Sequence, residues 1–228
     1  MNNFVVILGS SGNGKSSSIK SLDPKETFII NVLNKNLPFK GSKKNYNKDN
    51  KNITSTSNWD KISKLLTLIS DKYENVKNIV IDDAIYIMRT EFFDRSGERG
   101  YDKYNELADH FRKIISKCNS LREDITVFLM LHTEAIETSG DIKTYKASTV
   151  GKLLDKMYDP LENTTITLFC QPQFDDATGK PTYGFYTHKI RVDGIEIPAK
   201  TPDGMFEEDF IPNDLQIVLD NIKTYYEG

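Results

Sequence analysis

The chain has 228 residues, 38% hydrophobic and 28% charged, with a formal net charge of −3. This is ordinary for a globular protein of one α/β domain and excludes a chain that is basic all over. No apolar run reaches the roughly 18 to 20 residues that span a bilayer. The N-terminus lacks the basic region and cleavage site of a signal peptide, and Cys118 and Cys170 stand apart without CxxC spacing, so a cytoplasmic protein is expected, with no membrane partner.

Phe4 to Leu8 is a continuous apolar run, the pattern of a strand buried on both faces, and it leads into Gly9-Ser10-Ser11-Gly12-Asn13-Gly14-Lys15-Ser16-Ser17 and a helix-compatible segment. That stretch satisfies GxxxxGK[ST]. The glycines let successive backbone N–H groups turn toward a β-phosphate, Lys15 reaches the β- and γ-phosphates, and the Ser16 hydroxyl is placed to ligate Mg²⁺. The helix opening there adds its N-terminal dipole. ATP and Mg²⁺ are therefore the expected ligands.

A second strand is predicted at Phe28 to Val32, followed by a mobile, mostly solvent-facing loop to about Asn52 that carries Lys40, Lys43, Lys44, Lys48 and Lys51 against Asp49 alone. Trp59, Ile62, Leu65, Leu66 and Ile69 recur at helical spacing behind a Ser57/Asn58 cap. Ile79 to Ile81 then forms a buried strand ending in Asp82 and Asp83. Asp82 is assigned to the Mg²⁺ shell. Asp83 either polarises the attacking water or caps the next helix.

After a loop with Arg95, Gly97, Arg99 and Gly100, a helix face runs through Leu107, Phe111, Ile114, Ile115 and Cys118, and Thr126 to Leu131 is a fourth buried strand closed by His132. His132 stands where an open sheet meets its ligand, as a γ-phosphate sensor or as a structural histidine bonded to a loop carbonyl. A short helix is expected near Lys152 to Met157. A C-terminal hairpin is expected from Ile166–Cys170 and Tyr183–Val192 around Thr178-Gly179-Lys180, and a last helix from Pro212-Asn213-Asp214. Lys189 and Arg191 are placed two apart on a predicted strand, a solvated pair or a pair that reaches a neighbour's nucleotide site. The fold class is α/β, a mostly parallel sheet flanked by helices with a hairpin extension, in one domain.

With GSSGNGKSS near residue 9, NVLNKNLPFKG at 31–41, NIVIDDA at 78–84, FLMLHTE at 128–134 and the TPDGMF and IPNDL segments, nearly the whole chain resembles the RecA-superfamily ATPases. Within them it is similar to the compact phage-encoded RecA-like proteins of the Sak type. The resemblance implies ATP-dependent binding of single-stranded DNA by a ring or filament of identical subunits, activity in single-strand annealing or recombination, and a single-strand-binding protein as a candidate partner. It also implies a trans-acting role for Lys189 and Arg191. The chain departs from RecA in having Asn34 and Lys35 near the place of the catalytic glutamate, which puts the task of base on Asp83 or implies slow turnover. Cation-plus-aromatic loops suited to single strands lie at Arg95, Arg99, Tyr101, Lys103 and Tyr104, and at Lys143, Tyr145, Lys146 and Lys152. Two other classes stay open: a small nucleotide kinase, from Asp94-Arg95, and a nucleotide-gated loader or packaging module.

Overall fold

The computed structural model describes residues 3–137, 143–150 and 158–228; the helix expected near Lys152 to Met157 lies outside them. In chain order the strands are β1 (Asn3–Leu8), β2 (Thr27–Asn31), β3 (Ile53–Thr54), β4 (Asn78–Asp82), β5 (Thr126–Leu131), β6 (Thr133–Glu137), β7 (Lys143–Ala147), β8 (Ile166–Phe174), β9 (Pro181–Tyr186), β10 (Ile190–Val192), β11 (Ile195–Ile197) and β12 (Phe210–Pro212). The described α-helices are α1 (Ser42–Asn45), α2 (Trp59–Lys72), α3 (Ile85–Asp94), α4 (Asp102–Cys118) and, at the C-terminus, α5 (Leu215–Glu227).

An eight-stranded sheet in the order β12-β9-β8-β1-β5-β4-β2-β3 forms the centre. Strands β8, β1, β5, β4, β2 and β3 are parallel, while β9 and β12 add to it antiparallel. The alternating side chains of β1 show why helices must cover both faces. Phe4, Val6 and Leu8 pack with α2, α3 and α4, and Val5 and Ile7 pack with Ile19, Tyr46 and α5. The α/β, mostly parallel, helix-flanked architecture is the one expected.

Three local differences have physical causes. The segment after the glycine loop, Lys15–Ser21, is a 3-10 helix. The Ser18 hydroxyl donates to the Lys15 carbonyl and that of Ser21 to the Ser18 carbonyl, so serine side chains compete with the backbone for carbonyls three residues back and favour the tighter turn. The lysine-rich stretch expected to be a mobile loop is ordered. Tyr46 is buried in the core, and the Asn47, Asn50 and Asn52 side-chain amides donate to carbonyls of Lys43, Lys44, Asn45 and Pro24. The expected hairpin exists as β8 and β9, but β8 also pairs parallel with β1, so the hairpin grows out of the main sheet.

Tyr183–Val192 does not form one strand. Its second half, β10, joins a separate four-stranded sheet in the order β10-β11-β7-β6. There β6 and β7 form an antiparallel pair that departs from the end of β5 just after His132.

Gly184 fixes how β9 meets β12. A Cβ there would fall 2.5 Å from the Ile211 carbonyl oxygen and onto the Phe210 ring. Gly184→Ala is therefore expected to cost about 1–3 kcal/mol, the usual penalty of overpacking, read as a lower denaturant midpoint with unchanged slope. An unaltered midpoint would show that β12 is free to move aside.

Candidate nucleotide site

The C-terminal ends of β1, β5, β4 and β2 open on the same edge of the sheet, where a parallel α/β sheet presents its ligand groups. They line a cavity of about 770 Å³ with Lys15, Ser16, Lys35, Asp82, Asp83 and His132 on its walls, joined by Tyr183 and Asn213 from the C-terminal region.

The loop after β1 is braced from the β8 side. The Asn13 amide donates to the Cys170 carbonyl at 3.0 Å, the Cys170 thiol to the Asn13 carbonyl at 3.0 Å, and the Asn213 amide to the Gly14 carbonyl at 3.0 Å. Gly14 has φ 99°, and a Cβ on it would stand 2.7 Å from Asn213 Nδ2, so both conformation and space demand glycine. Burial pushes the Cys170 thiol up to about 12, against the pull of Lys15, so its contribution is packing and bracing. Ser10 reaches across to Thr133, hydroxyl to hydroxyl at 3.4 Å.

Lys15 is buried and folds back on its own loop, donating to the carbonyls of Gly9 at 2.6 Å and Ser10 at 3.0 Å. Desolvation lowers its pKa, opposed by Cys170, Asp82 and Asp83. A polyphosphate in the loop supplies the negative charge that this ammonium lacks. The Ser16 hydroxyl donates to Asp82 Oδ1 at 2.9 Å. Burial and the adjacent Asp83 push the Asp82 carboxyl up to about 6, partly offset by Ser16 and Lys15. One hydroxyl and one carboxylate, both hard oxygen donors, fit Mg²⁺ of the kind bound through few protein ligands together with phosphates. Ser16 and Asp82 would hold it, and it would polarise phosphoryl oxygens when bound.

Asp83 sits at φ 58°, a left-handed conformation uncommon outside glycine. Its side chain makes no bond to the first turn of α3, whose N-cap is Ala84 without a side-chain cap. Instead both carboxylate oxygens are taken: Oδ1 by His132 Nε2 at 2.8 Å and Oδ2 by Lys35 Nζ at 2.9 Å. Burial alone would raise its pKa, but these two partners overcome that and hold it below the ordinary value. The His132 ring thus points at a carboxylate and not at a loop carbonyl. Its own carbonyl accepts from the Ser148 N–H at 2.8 Å.

The remaining sequence candidates lie away from this cavity. Lys189 precedes β10 and pairs with Glu196 at 2.8 Å. Arg191 is on β10, in register with Glu196 and exposed. Arg95 is held by Glu91, Glu98 and Glu106 at 3.3, 2.7 and 2.7 Å, and Lys103 donates to the Glu98 carbonyl while resting against the rings of Phe92 and Tyr104. Arg99 and Tyr101 are exposed. Lys146 pairs with Glu134 at 2.9 Å and Lys143 approaches Glu137 at 4.0 Å across the β6–β7 pair. Lys152 falls outside the described residues.

Lys35, Asn213 and Cys170 are site residues that motif reading missed. The signal for Lys35 is its position just beyond the C-terminal end of a parallel strand, on the edge where the sheet meets its ligand; nothing in the sequence marks Asn213 or Cys170.

A phosphate loop at the end of a central parallel strand, faced by a serine–aspartate pair, defines a P-loop nucleotide-binding protein. The family described as AAA domain matches residues 1–191, and the chain belongs to that family. Among solved structures, the KaiC-like protein PH0186 from the hyperthermophilic archaeon Pyrococcus horikoshii OT3 is similar at 15% identity and a TM-score of 0.48, over 83% of this chain and 79% of that one. A comparison with curated protein sequences finds no match. No helix among the described residues is long and apolar enough to cross a membrane.

Proposed function

We propose that the chain is an ATPase that binds single-stranded DNA in an ATP-dependent way as an oligomer and acts in annealing or recombination. The observation that carries the catalytic part is the convergence of Lys15, Ser16, Asp82 and Asp83 on one cavity, with Ser16 and Asp82 already in contact. The DNA part is supported by the resemblance to Sak-type proteins and by exposed cationic surface.

That surface is unevenly distributed. Arg95, Lys103 and Lys146 are engaged within the chain, whereas among the described residues Lys40, Lys43, Lys44, Lys48 and Lys51 form no ion pair. Lys43 and Lys48 also line a cavity of about 720 Å³ that shares Lys35 and Asn36 with the nucleotide cavity. The single strand is therefore assigned to this edge; Arg99 and Tyr101, exposed between α3 and α4 on the other face of the sheet, form a separate candidate surface.

Each phosphate contact adds about 0.7 to the salt slope of single-strand affinity. Changing Lys43, Lys44 and Lys48 together to Gln should lower that slope by about 2. The pair Lys143→Gln and Lys146→Gln should leave it nearly unchanged. The reverse result would move the strand to the β6–β7 side.

The primary test is ATP hydrolysis with and without a single-stranded oligonucleotide, using Lys15→Ala as blank. Stimulation is expected. The capped state of Asp83 favours one second reading, a nucleotide-gated interaction module with slow turnover, and hydrolysis indifferent to DNA alongside ATP-dependent oligomerisation would select it. Under the first reading Lys189 and Arg191 are assigned to a neighbouring subunit's site, a role in keeping with the exposure of Arg191.

A further inference from the structure

We infer that Lys35 is a second phosphate-binding cation, one that reads the terminal phosphate of a nucleoside triphosphate and is parked on Asp83 when that phosphate is absent. The inference rests on the nucleotide-binding reading of the cavity and adds a switch to it.

The backbone around Lys35 is built to present it. Asn31, buried at the end of β2, clamps the Lys35 main chain from both sides, its amide donating to the Lys35 carbonyl at 2.6 Å and its carbonyl oxygen accepting from the Lys35 N–H at 3.2 Å. Between them Asn34 adopts φ 55°, and its side-chain oxygen accepts from the Ser55 hydroxyl at 2.9 Å. A short turn held at both ends and anchored to the residue that follows β3 fixes where the Lys35 side chain starts.

The side chain itself has room to move. It is 60% exposed, its ammonium lies 5.7 Å from the centre of the Tyr86 ring, and it lines the same cavity as Lys15, Ser16 and Asp82. A half-solvated ion pair with one carboxylate is a weak tether. A terminal phosphate carries more charge and more acceptor oxygens, so it outcompetes Asp83 for the ammonium when bound within its reach.

The exchange changes what Asp83 offers. With Lys35 on the phosphate, Oδ2 becomes open to a water while Oδ1 stays on His132, so the carboxylate keeps its orientation and gains a vacant acceptor. A diphosphate cannot draw Lys35 away and leaves Asp83 capped. The pair therefore couples recognition of the triphosphate to exposure of the acceptor, with Lys35 as the moving part and His132 as the fixed one.

The test compares the affinities of a non-hydrolysable ATP analogue and of ADP, by calorimetric titration in the presence of Mg²⁺, for the unaltered protein, Lys35→Gln and Asp83→Asn, with Lys15→Ala as blank. Lys35→Gln should bind the analogue about tenfold more weakly, the scale of one lost hydrogen bond to a charged group, with ADP affinity within about twofold of normal. Asp83→Asn should bind the analogue more tightly, because the ammonium is no longer shared. An unchanged analogue-to-ADP ratio in Lys35→Gln would overturn the role of Lys35 while leaving the site intact. Failure of the unaltered protein to bind either nucleotide above the Lys15→Ala blank would overturn both the site and the switch. Lys35→Gln leaves the buried Asp83 with His132 alone, so a modest fall in melting temperature is expected, and the retained ADP affinity is what shows that a loss of analogue binding reads on the site.

Discussion

Lys15→Ala is expected to reduce ATP hydrolysis by about 100- to 1,000-fold and to abolish nucleotide-dependent behaviour, the scale seen when a preorganised donor to developing charge is removed. Lys15 is the buried cation at the mouth of the phosphate loop, and its donors now rest on the Gly9 and Ser10 carbonyls. A phosphate replaces those carbonyls with a stronger acceptor at little cost, since the ammonium has already been stripped of water. The same reasoning bounds the effect on stability. Alanine removes two hydrogen bonds but also a desolvated charge, and these oppose each other to within about 1 kcal/mol. Activity should therefore vanish while the thermal transition barely moves, as measured by hydrolysis and melting on the same preparation. Undiminished nucleotide binding by Lys15→Ala would remove the loop from the site.

The parts of this architecture legible in the sequence are those where pattern and chemistry coincide. β5 has the expected bounds, Thr126–Leu131, because six residues there are buried on both faces, and Asn58 caps α2 as its position suggested, accepting from the Lys61 N–H. α3 was legible only as the helix that Asp83 would cap, without bounds of its own, for the opposite reason. Ile85, Ile87 and Met88 are buried without a 3.6-residue rhythm, and no polar side chain caps the start, so nothing distinguishes this helix from the end of a strand. The β10–β11 pair had a readable signal: Asp193 and Gly194, both at positive φ, join Val192 to Ile195, and Asp-Gly between apolar residues marks a two-residue hairpin.

The lysine-rich stretch misled for a different reason. Its order comes from asparagine amides bonding to carbonyls, which composition registers only as polarity. In the site, Ser16 and Asp82 were legible from the chemistry of phosphate and Mg²⁺. The Lys35–Asp83 contact joins residues 48 apart in the chain, which only the sheet order brings together.

Asp82→Asn separates function from stability at one atom. Asparagine keeps an oxygen for the Ser16 hydroxyl but loses the anionic donor. Hydrolysis should therefore fall by about 100-fold or more, and its response to Mg²⁺ should flatten, while Lys15 and the loop amides retain nucleotide. Stability of the nucleotide-free, metal-free protein should move the other way. Burial, with Asp83 alongside, lifts the Asp82 carboxyl to about 6 from an ordinary value of 3.8. Between those values the unfolded chain has released the proton that the folded chain still holds, so stability declines as pH rises through this window and stays lowered above it. The neutral amide has no such proton to lose. At about pH 8 the variant should thus be the more stable protein by on the order of 1–3 kcal/mol, and the advantage should shrink as pH falls below about 6. Melting curves at about pH 8 and near pH 4, without metal or nucleotide, decide it. A variant less stable at the higher pH would mean that the Asp82 charge is already compensated in the empty site, and Lys15 would be the group that compensates it.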